Sequence, residues 1–203
     1  MSDTIVLEGV THAYKTANGP LPVLNGLDLR VPQNTFCAVV GPSGCGKSTL
    51  TRLVSGLMYP DVGDVILADE RVTSPRPTVG MAFQNPVLLE WRSILQNVLL
   101  PMEIVKSKAS KSEMIDRARS LLSLVGLDGF EDKRPSELSG GMRQRASLCR
   151  SIIHKPDVLI LDEPFGALDA QTRAQMQNYL LQIWRNLDIT MLFITHDLDE
   201  AVY

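Results

Sequence analysis

The residue pattern predicts an α/β protein: a mostly parallel sheet core, an antiparallel β layer near its start and a helical block inserted in the middle. Three observations carry this. Phe36 to Val40, Val158 to Leu161 and Ile189 to Ile194 are apolar on both faces, as strands covered from both sides require. Helix-period segments separate these runs. Earlier segments alternate apolar and polar residues, as a sheet with one wet face does.

Taken in order, Ile5, Leu7 and Gly9 alternate with Val6, Glu8 and Val10, and Leu27, Leu29 and Val31 alternate with Asp28 and Arg30. Both read as half-buried strands of an antiparallel layer. Phe36-Cys37-Ala38-Val39-Val40 reads as a central buried strand. A glycine-rich turn follows, then a helix from about Lys47 to Leu57. Pro60-Asp61-Val62-Gly63-Asp64 is turn chemistry, and Val65 to Leu67 and Val79 to Phe83 are short strands. From Asn85 to about Lys155 the character is helical. Ser110 and Glu113 have capping-box spacing. Met114, Ile115, Ala118, Leu121, Leu122 and Val125 share one helical face, and Gly126 stops that helix. Met142, Ala146, Cys149 and Ile153 mark another. Asp169 opens a long helix with the stripe Met176, Leu180, Ile183 and Leu187, and Asp197 starts a further one. The expected division is a discontinuous core, 1–84 with 156–203, around a helical subdomain, 85–155.

Composition narrows the class. The 203 residues carry 20 Lys+Arg against 23 Asp+Glu, a net charge of −3. That balance argues against a general nucleic-acid binder, which needs a basic face. With 44% hydrophobic and 21% charged residues, a folded core is expected. The longest charge-free stretch, Val31 to Gly46, is broken by Pro32, Gly41, Pro42 and Gly44 and falls short of the ~20 apolar residues that span a bilayer. Asp3 and Glu8 with no basic run do not make a secretory signal. Cys37, Cys45 and Cys149 are odd in number and widely spaced, which fits free thiols in a reducing compartment.

Gly41-Pro42-Ser43-Gly44-Cys45-Gly46-Lys47-Ser48-Thr49 follows an apolar strand and opens a helix, the G-x-x-x-x-G-K-[ST] pattern in its required context. Glycines let the backbone curl so that successive N–H groups face one concavity. The helix N-terminus adds about +0.5 charge beside the anion. Lys47 is expected to reach β- and γ-phosphates, and the Ser48 hydroxyl to take a Mg²⁺ position. This sets the core as a P-loop nucleotide-binding fold. Cys45, at the helix start beside Lys47, is the thiol expected to be reactive.

Val158-Leu159-Ile160-Leu161-Asp162-Glu163 is an apolar strand ending in two carboxylates. Ligands of such folds sit at the carboxyl ends of strands. Asp162 is therefore expected in the Mg²⁺ shell, and Glu163, one residue on, is expected to act as general base on a water at the γ-phosphate.

Leu138-Ser139-Gly140-Gly141-Met142-Arg143-Gln144-Arg145 resembles the signature motif of ABC-transporter ATPases. Gln84 resembles that family's Q-loop, Ala167-Leu168-Asp169 its D-loop and His196 its switch histidine. Tyr14 lies where the family places an aromatic that stacks on adenine. The motifs occur in family order from about Thr4 to the end of the chain. The resemblance implies a helical family-specific subdomain carrying the signature, ATP and Mg²⁺ as ligands, and Gln84 beside the metal. It also implies that Ser139, Gly140, Gly141 and Asp169 meet nucleotide across a head-to-tail dimer of identical or paralogous subunits, a two-fold arrangement. LSGGMRQR, with Leu88-Leu89-Glu90-Trp91-Arg92 after Gln84, is most similar to ATPases of nitrate, sulfonate and taurine importers, which usually have Pro where Glu90 stands.

The same resemblance implies a groove for a membrane permease within Asn85 to Met102, with Leu88, Leu89 and Trp91 as the expected exposed patch. A solute-binding protein would take part indirectly, and the chain would sit peripherally on the cytoplasmic face of the membrane. The alternative is a non-catalytic, regulatory nucleotide-binding module, which Glu163 and His196 speak against. A guanine-binding Asn-Lys-x-Asp is not found. Family members usually continue past the switch histidine, so a shortened chain is expected.

Overall fold

The computed structural model describes residues 3–166 and 168–202. β1 (Asp3–Thr16) and β2 (Gly19–Pro32) form a long antiparallel hairpin. Both strands run further than their alternation suggests. The register slips between Leu7 and Val10 and again beyond, with Gly9 and Gly26 at positive φ, so the faces exchange and the period of two is lost. β4 (Val62–Leu67) pairs antiparallel with β1, and β5 (Glu70–Arg71) with β4, in the order β2-β1-β4-β5. Val62-Gly63-Asp64, expected as part of a turn, opens β4 instead. A Cβ on Gly63 would collide with the carbonyls of Glu8 and Gly9, so glycine is needed for the close strand crossing and not for a reversal.

The second sheet holds β3 (Phe36–Val40), β6 (Val79–Ala82), β7 (Val158–Asp162) and β8 (Thr190–Thr195), all parallel, in the order β3-β8-β7-β6. β7 and β8 are central. β3, expected there, lies half-buried at one edge among the described residues. Its all-apolar sequence reports two covered faces, not a central place. α1 (Lys47–Val54) packs between the sheets: Leu50, Leu53 and Val54 meet Ile5, Leu7 and Val65 on one side and Val158, Ile160, Leu192 and Ile194 on the other. The opposite face of the parallel sheet, Leu159, Leu161, Met191 and Phe193, packs on Met176, Leu180 and Ile183 of α5 (Ala170–Asn186). Burying both faces in this way contributes about 25 cal/mol per Å² of apolar surface removed from water.

Between β6 and β7 run α2 (Ile94–Ile104), α3 (Lys111–Leu124), a 3-10 turn (Pro135–Glu137) and α4 (Gly140–Ile152), around a core that includes Leu88, Ile94, Val98, Leu122, Ala146 and Cys149. Ser110 and Glu113 form the capping box expected of them, and Ser93 with Gln96 forms a second. α6 (Leu198–Val202) follows β8. No helix among the described residues is long and apolar enough to cross a membrane.

The expected patch after Gln84 is only partly exposed, with Leu89 half-buried. Leu88 is 7% exposed and part of the core, while Trp91 is 73% exposed. The cause is Asn97, fully buried, whose side-chain oxygen accepts from the Leu89 N–H and whose amide donates to the carbonyls of Leu89, Arg92 and Ser93. That clamp turns Leu88 inward. Val87 and Ile104 join Trp91 as the exposed large apolar side chains of this region.

Candidate active site

β3 delivers the chain to Gly41, and α1 begins six residues later. Gly44 and Gly46 both have positive φ, which lets the loop fold back over the helix start. A Cβ on Gly46 would press on Val23 and Leu24 of β2, so the antiparallel layer braces the loop from outside. The first intrahelical bonds run from the Thr49 and Leu50 N–H groups to the Gly46 carbonyl. The N–H groups of Lys47 and Ser48 thus belong to the first turn, which has no carbonyl partner within a helix and suits an anion. The Lys47 side chain is 6% exposed; its Nζ donates to the carbonyls of Gly41 (2.6 Å) and Pro42 (2.9 Å) and lies 3.7 Å from Glu163 Oε1.

Tyr14, Leu21, Val23, Ser43, Gly44, Gly46, Lys47, Ser48, Thr49, Gln84, Asp162 and Glu163 line one cleft of about 400 Å³. Tyr14 faces Leu21 across the hairpin, its hydroxyl lies 3.1 Å from Thr49 Oγ1, and its ring packs edge-on against His12. Leu21 and Val23 were not foreseen as site residues; they reach the cleft because the hairpin extends past the residues whose alternation was readable.

The acidic pair divides as its two positions differ. Asp162 ends β7 and takes hydrogen bonds from the Ser48 and Thr51 hydroxyls. Burial is the main influence on its carboxyl and pushes its pKa up, with the Glu163 charge adding to the rise against those hydrogen bonds. Glu163 stands outside the strand at φ 47°, a left-handed conformation that costs about 1–3 kcal/mol in a non-glycine residue. Its N–H donates to the Ile194 carbonyl and its own carbonyl accepts from the Gly166 N–H, which hold it there. The turn aims Oε2 at His196 Nδ1, 3.1 Å away, and Oε1 at Lys47. The Gln84 amide sits over Gly166.

Ser139, Gly140, Gly141 and Asp169 are not among the residues lining this cleft. Ser139 caps α4, accepting from the Met142 N–H, and Asp169 caps α5, accepting from the Thr172 N–H. The two helix starts abut, since a Cβ on Gly141 would meet the Thr172 methyl at 2.7 Å. Ala167 lies outside the described residues.

A family model described as "ABC transporter" matches residues 24–166. The chain belongs to the ABC transporter family. It is 45% identical over 199 residues to the bicarbonate transport ATP-binding protein CmpD of Synechocystis sp., covering 98% of this chain and 71% of that one. It is 40% identical over 200 residues to the aliphatic sulfonates import ATP-binding protein SsuB of Bacillus cereus, covering 98% and 78%. A dimeric post-hydrolysis structure of the ATP-binding cassette MJ0796 with ADP and phosphate superposes with a TM-score of 0.87 at 28% identity, covering 97% of this chain and 90% of that one. The chain is an ABC-type ATPase, and ATP is its nucleotide.

Two expected results follow from the ABC site. A carboxyl whose folded pKa is raised weakens the fold once it ionises. That part of stability is full below the ordinary carboxylate range and is lost as pH rises through the raised value. Asp162→Asn is therefore expected to raise the melting temperature of the nucleotide-free chain at neutral pH and to change it little at low pH. A neutral-pH melt below that of the parent chain would contradict this. Among the thiols, Cys149 is buried, with its pKa pushed up to about 12 by desolvation, Cys37 is raised by burial as well, and Cys45 is exposed. Alkylation of the folded chain is expected to reach Cys45 first and to block ATP binding, with Mg-ATP protecting. Peptide mass mapping checks it, and equal labelling with and without nucleotide would argue against it.

Proposed function

We propose that the chain is the ATP-hydrolysing subunit of an ABC importer for a small solute of the nitrate, sulfonate or taurine kind. The observation that carries the reading is the meeting of Ser43, Gly44, Gly46, Lys47, Ser48, Gln84, Asp162 and Glu163 at one cleft, with His196 reaching it only through its 3.1 Å contact with Glu163. The backbone of Gly41, Pro42, Ser43, Gly44, Cys45 and Gly46 and the Thr49 end of the first turn cradle the phosphates, and Tyr14 offers its ring to adenine. Lys47 reaches the β- and γ-phosphates. Ser48, Asp162 and Gln84 each offer an oxygen ligand on the metal side, which fits Mg²⁺. Held by Ser48, Asp162 and Gln84, Mg²⁺ would supply neutralisation of the phosphate charge. Glu163 accepts the proton of the attacking water, and His196 holds Glu163 in place and contacts the γ-phosphate.

The signature residues Ser139, Gly140 and Gly141, with Asp169 beside them, face nucleotide held by a second subunit. Their separation from the cleft lining and the dimeric state of the solved relative support that reading. Residues 85–155 act as the signature-bearing subdomain and 1–84 with 156–203 as the ATP core, a division supported by the separate core of the helical block. The permease docks beside exposed Val87, Trp91 and Ile104. A cleft of about 410 Å³ lined by Pro77, Leu100, Ile104, Arg150 and His154 adjoins Ile104 and supports that placement. The subunit works on the cytoplasmic face of the membrane, and a solute-binding protein feeds the permease. The relatives named for bicarbonate and aliphatic sulfonates support a small anionic solute.

Reconstitution with its permease and binding protein in vesicles tests the proposal. ATP-driven, Mg²⁺-dependent uptake of one of nitrate, bicarbonate, taurine or an alkanesulfonate is expected. ATP hydrolysis without uptake of any of them would overturn this solute class.

A further inference from the structure

Arg173, on the first turns of α5, makes three connections at once. Its Nη2 donates to the Leu168 carbonyl at 3.3 Å, its Nη1 to Asp197 Oδ2 at 3.4 Å, and its Nε lies 3.7 Å from Glu200 Oε1. The two carboxylates belong to the chain on the far side of His196. The Glu200 side chain is only 6% exposed, so its charge needs a partner. Its second oxygen accepts from the Thr195 hydroxyl, and that hydroxyl in turn accepts from the Asp197 N–H. Both sequence neighbours of His196 are thus held by one network whose cation is Arg173. On its other side the same guanidinium grips the residue just before Asp169, the cap of α5. A planar fork with several donors suits this three-way junction, and a compact ammonium can serve only part of it.

We infer that Arg173 is a positioning residue for ATP hydrolysis: it locks Leu168 to Asp197 and Glu200 and thereby sets where His196 meets Glu163. The inference rests on the proposed role of His196. It also makes the segment that leads into Asp169 and the segment that carries His196 move as one piece, so a displacement of Asp169 by a second subunit reaches the hydrolytic pair within the same chain. Without the guanidinium, Glu200 is left buried beside Thr195 with no cation, the turn after β8 relaxes, and the 3.1 Å His196–Glu163 contact lengthens.

The test is a mutant cycle on the full chain, read by single-turnover cleavage of Mg-ATP, equilibrium ATP affinity and thermal melting. Arg173→Met is expected to slow cleavage about 10–100-fold, the cost of misplacing a reacting group by about an ångström, with ATP affinity changed less than about twofold. Arg173→Lys recovers part of the rate. On the His196→Ala background, Arg173→Met costs less than about twofold more, because the two residues act through one step. Glu200→Gln keeps volume and an acceptor for Thr195 and repeats the pattern with a smaller perturbation should Arg173→Met melt early. The same fold-loss in both backgrounds, or lost ATP affinity with the cleavage rate kept, overturns the inference and leaves Arg173 a structural residue. If His196→Ala cleaves ATP at the parental rate, the role of His196 falls whatever Arg173→Met does. If His196→Ala is slow and Arg173→Met is not, only the inference falls.

Discussion

Replacing Glu163 with Gln is expected to slow ATP hydrolysis about 10²–10⁴-fold while leaving ATP bound, because the amide keeps the side-chain shape and loses the ability to take a proton. The geometry makes the separation of effects possible. Glu163 lies 3.7 Å from Lys47, whereas Lys47 has closer acceptors in the Gly41 and Pro42 carbonyls. Removing the Glu163 charge therefore leaves the loop held. The same substitution keeps an acceptor for His196, so the turn after β8 is not released. Equilibrium ATP binding and steady-state turnover on one preparation check the expectation. Near-normal turnover in Glu163→Gln would remove the general-base assignment, and lost binding would show that the carboxylate supports the phosphate loop instead.

The second large effect is on binding. Lys47→Arg is expected to weaken ATP about 10–100-fold even though the charge is kept, the scale of one hydrogen bond to a charged group. The Lys47 ammonium sits almost fully enclosed, between two carbonyls on one side and Glu163 on the other. An ammonium is a compact point charge whose three protons can serve these acceptors and later the phosphates. A guanidinium is wider and flat, and it cannot set its donors on the Gly41 and Pro42 carbonyls and Glu163 as one ammonium does. Lys47→Ala should be worse, since it also strips a buried cation from Glu163. Titration with a fluorescent ATP analogue measures both, and parental affinity in Lys47→Arg would show that charge alone suffices.

How much of this was legible without coordinates depends on the kind of signal. The three fully apolar runs carried the parallel sheet because a strand covered on both faces has no other way to be written. Ser110 with Glu113, and Asp169 before its long helix, marked helix starts because capping is decided within four residues. The glycine-rich loop was visible for the same reason, as its pattern is packed into nine consecutive residues. The extents of β1 and β2 were not readable, since their bulges exchange the faces, and neither was β4 at Gly63, where a glycine needed for a strand crossing looks like a turn. Leu88 was read as exposed because the distant Asn97, which turns it inward, leaves no mark near it.

The sequence by itself determined the local parts: buried strands, caps, the glycine-rich loop before α1, and the order of motifs that marks an ABC ATPase. Only the tertiary structure decided which parts meet. It put Glu163 into a left-handed turn that faces Lys47 and His196, brought Tyr14 and Leu21 of the hairpin to the cleft, and set the α4 and α5 starts against each other outside it. It also revealed Arg173 as the junction between Leu168 and the residues around His196. The physical reason is range. Backbone preference and capping act over a few residues and are written locally, whereas these meetings join groups about 20 to 150 residues apart through the packing of whole elements, and no periodicity encodes them.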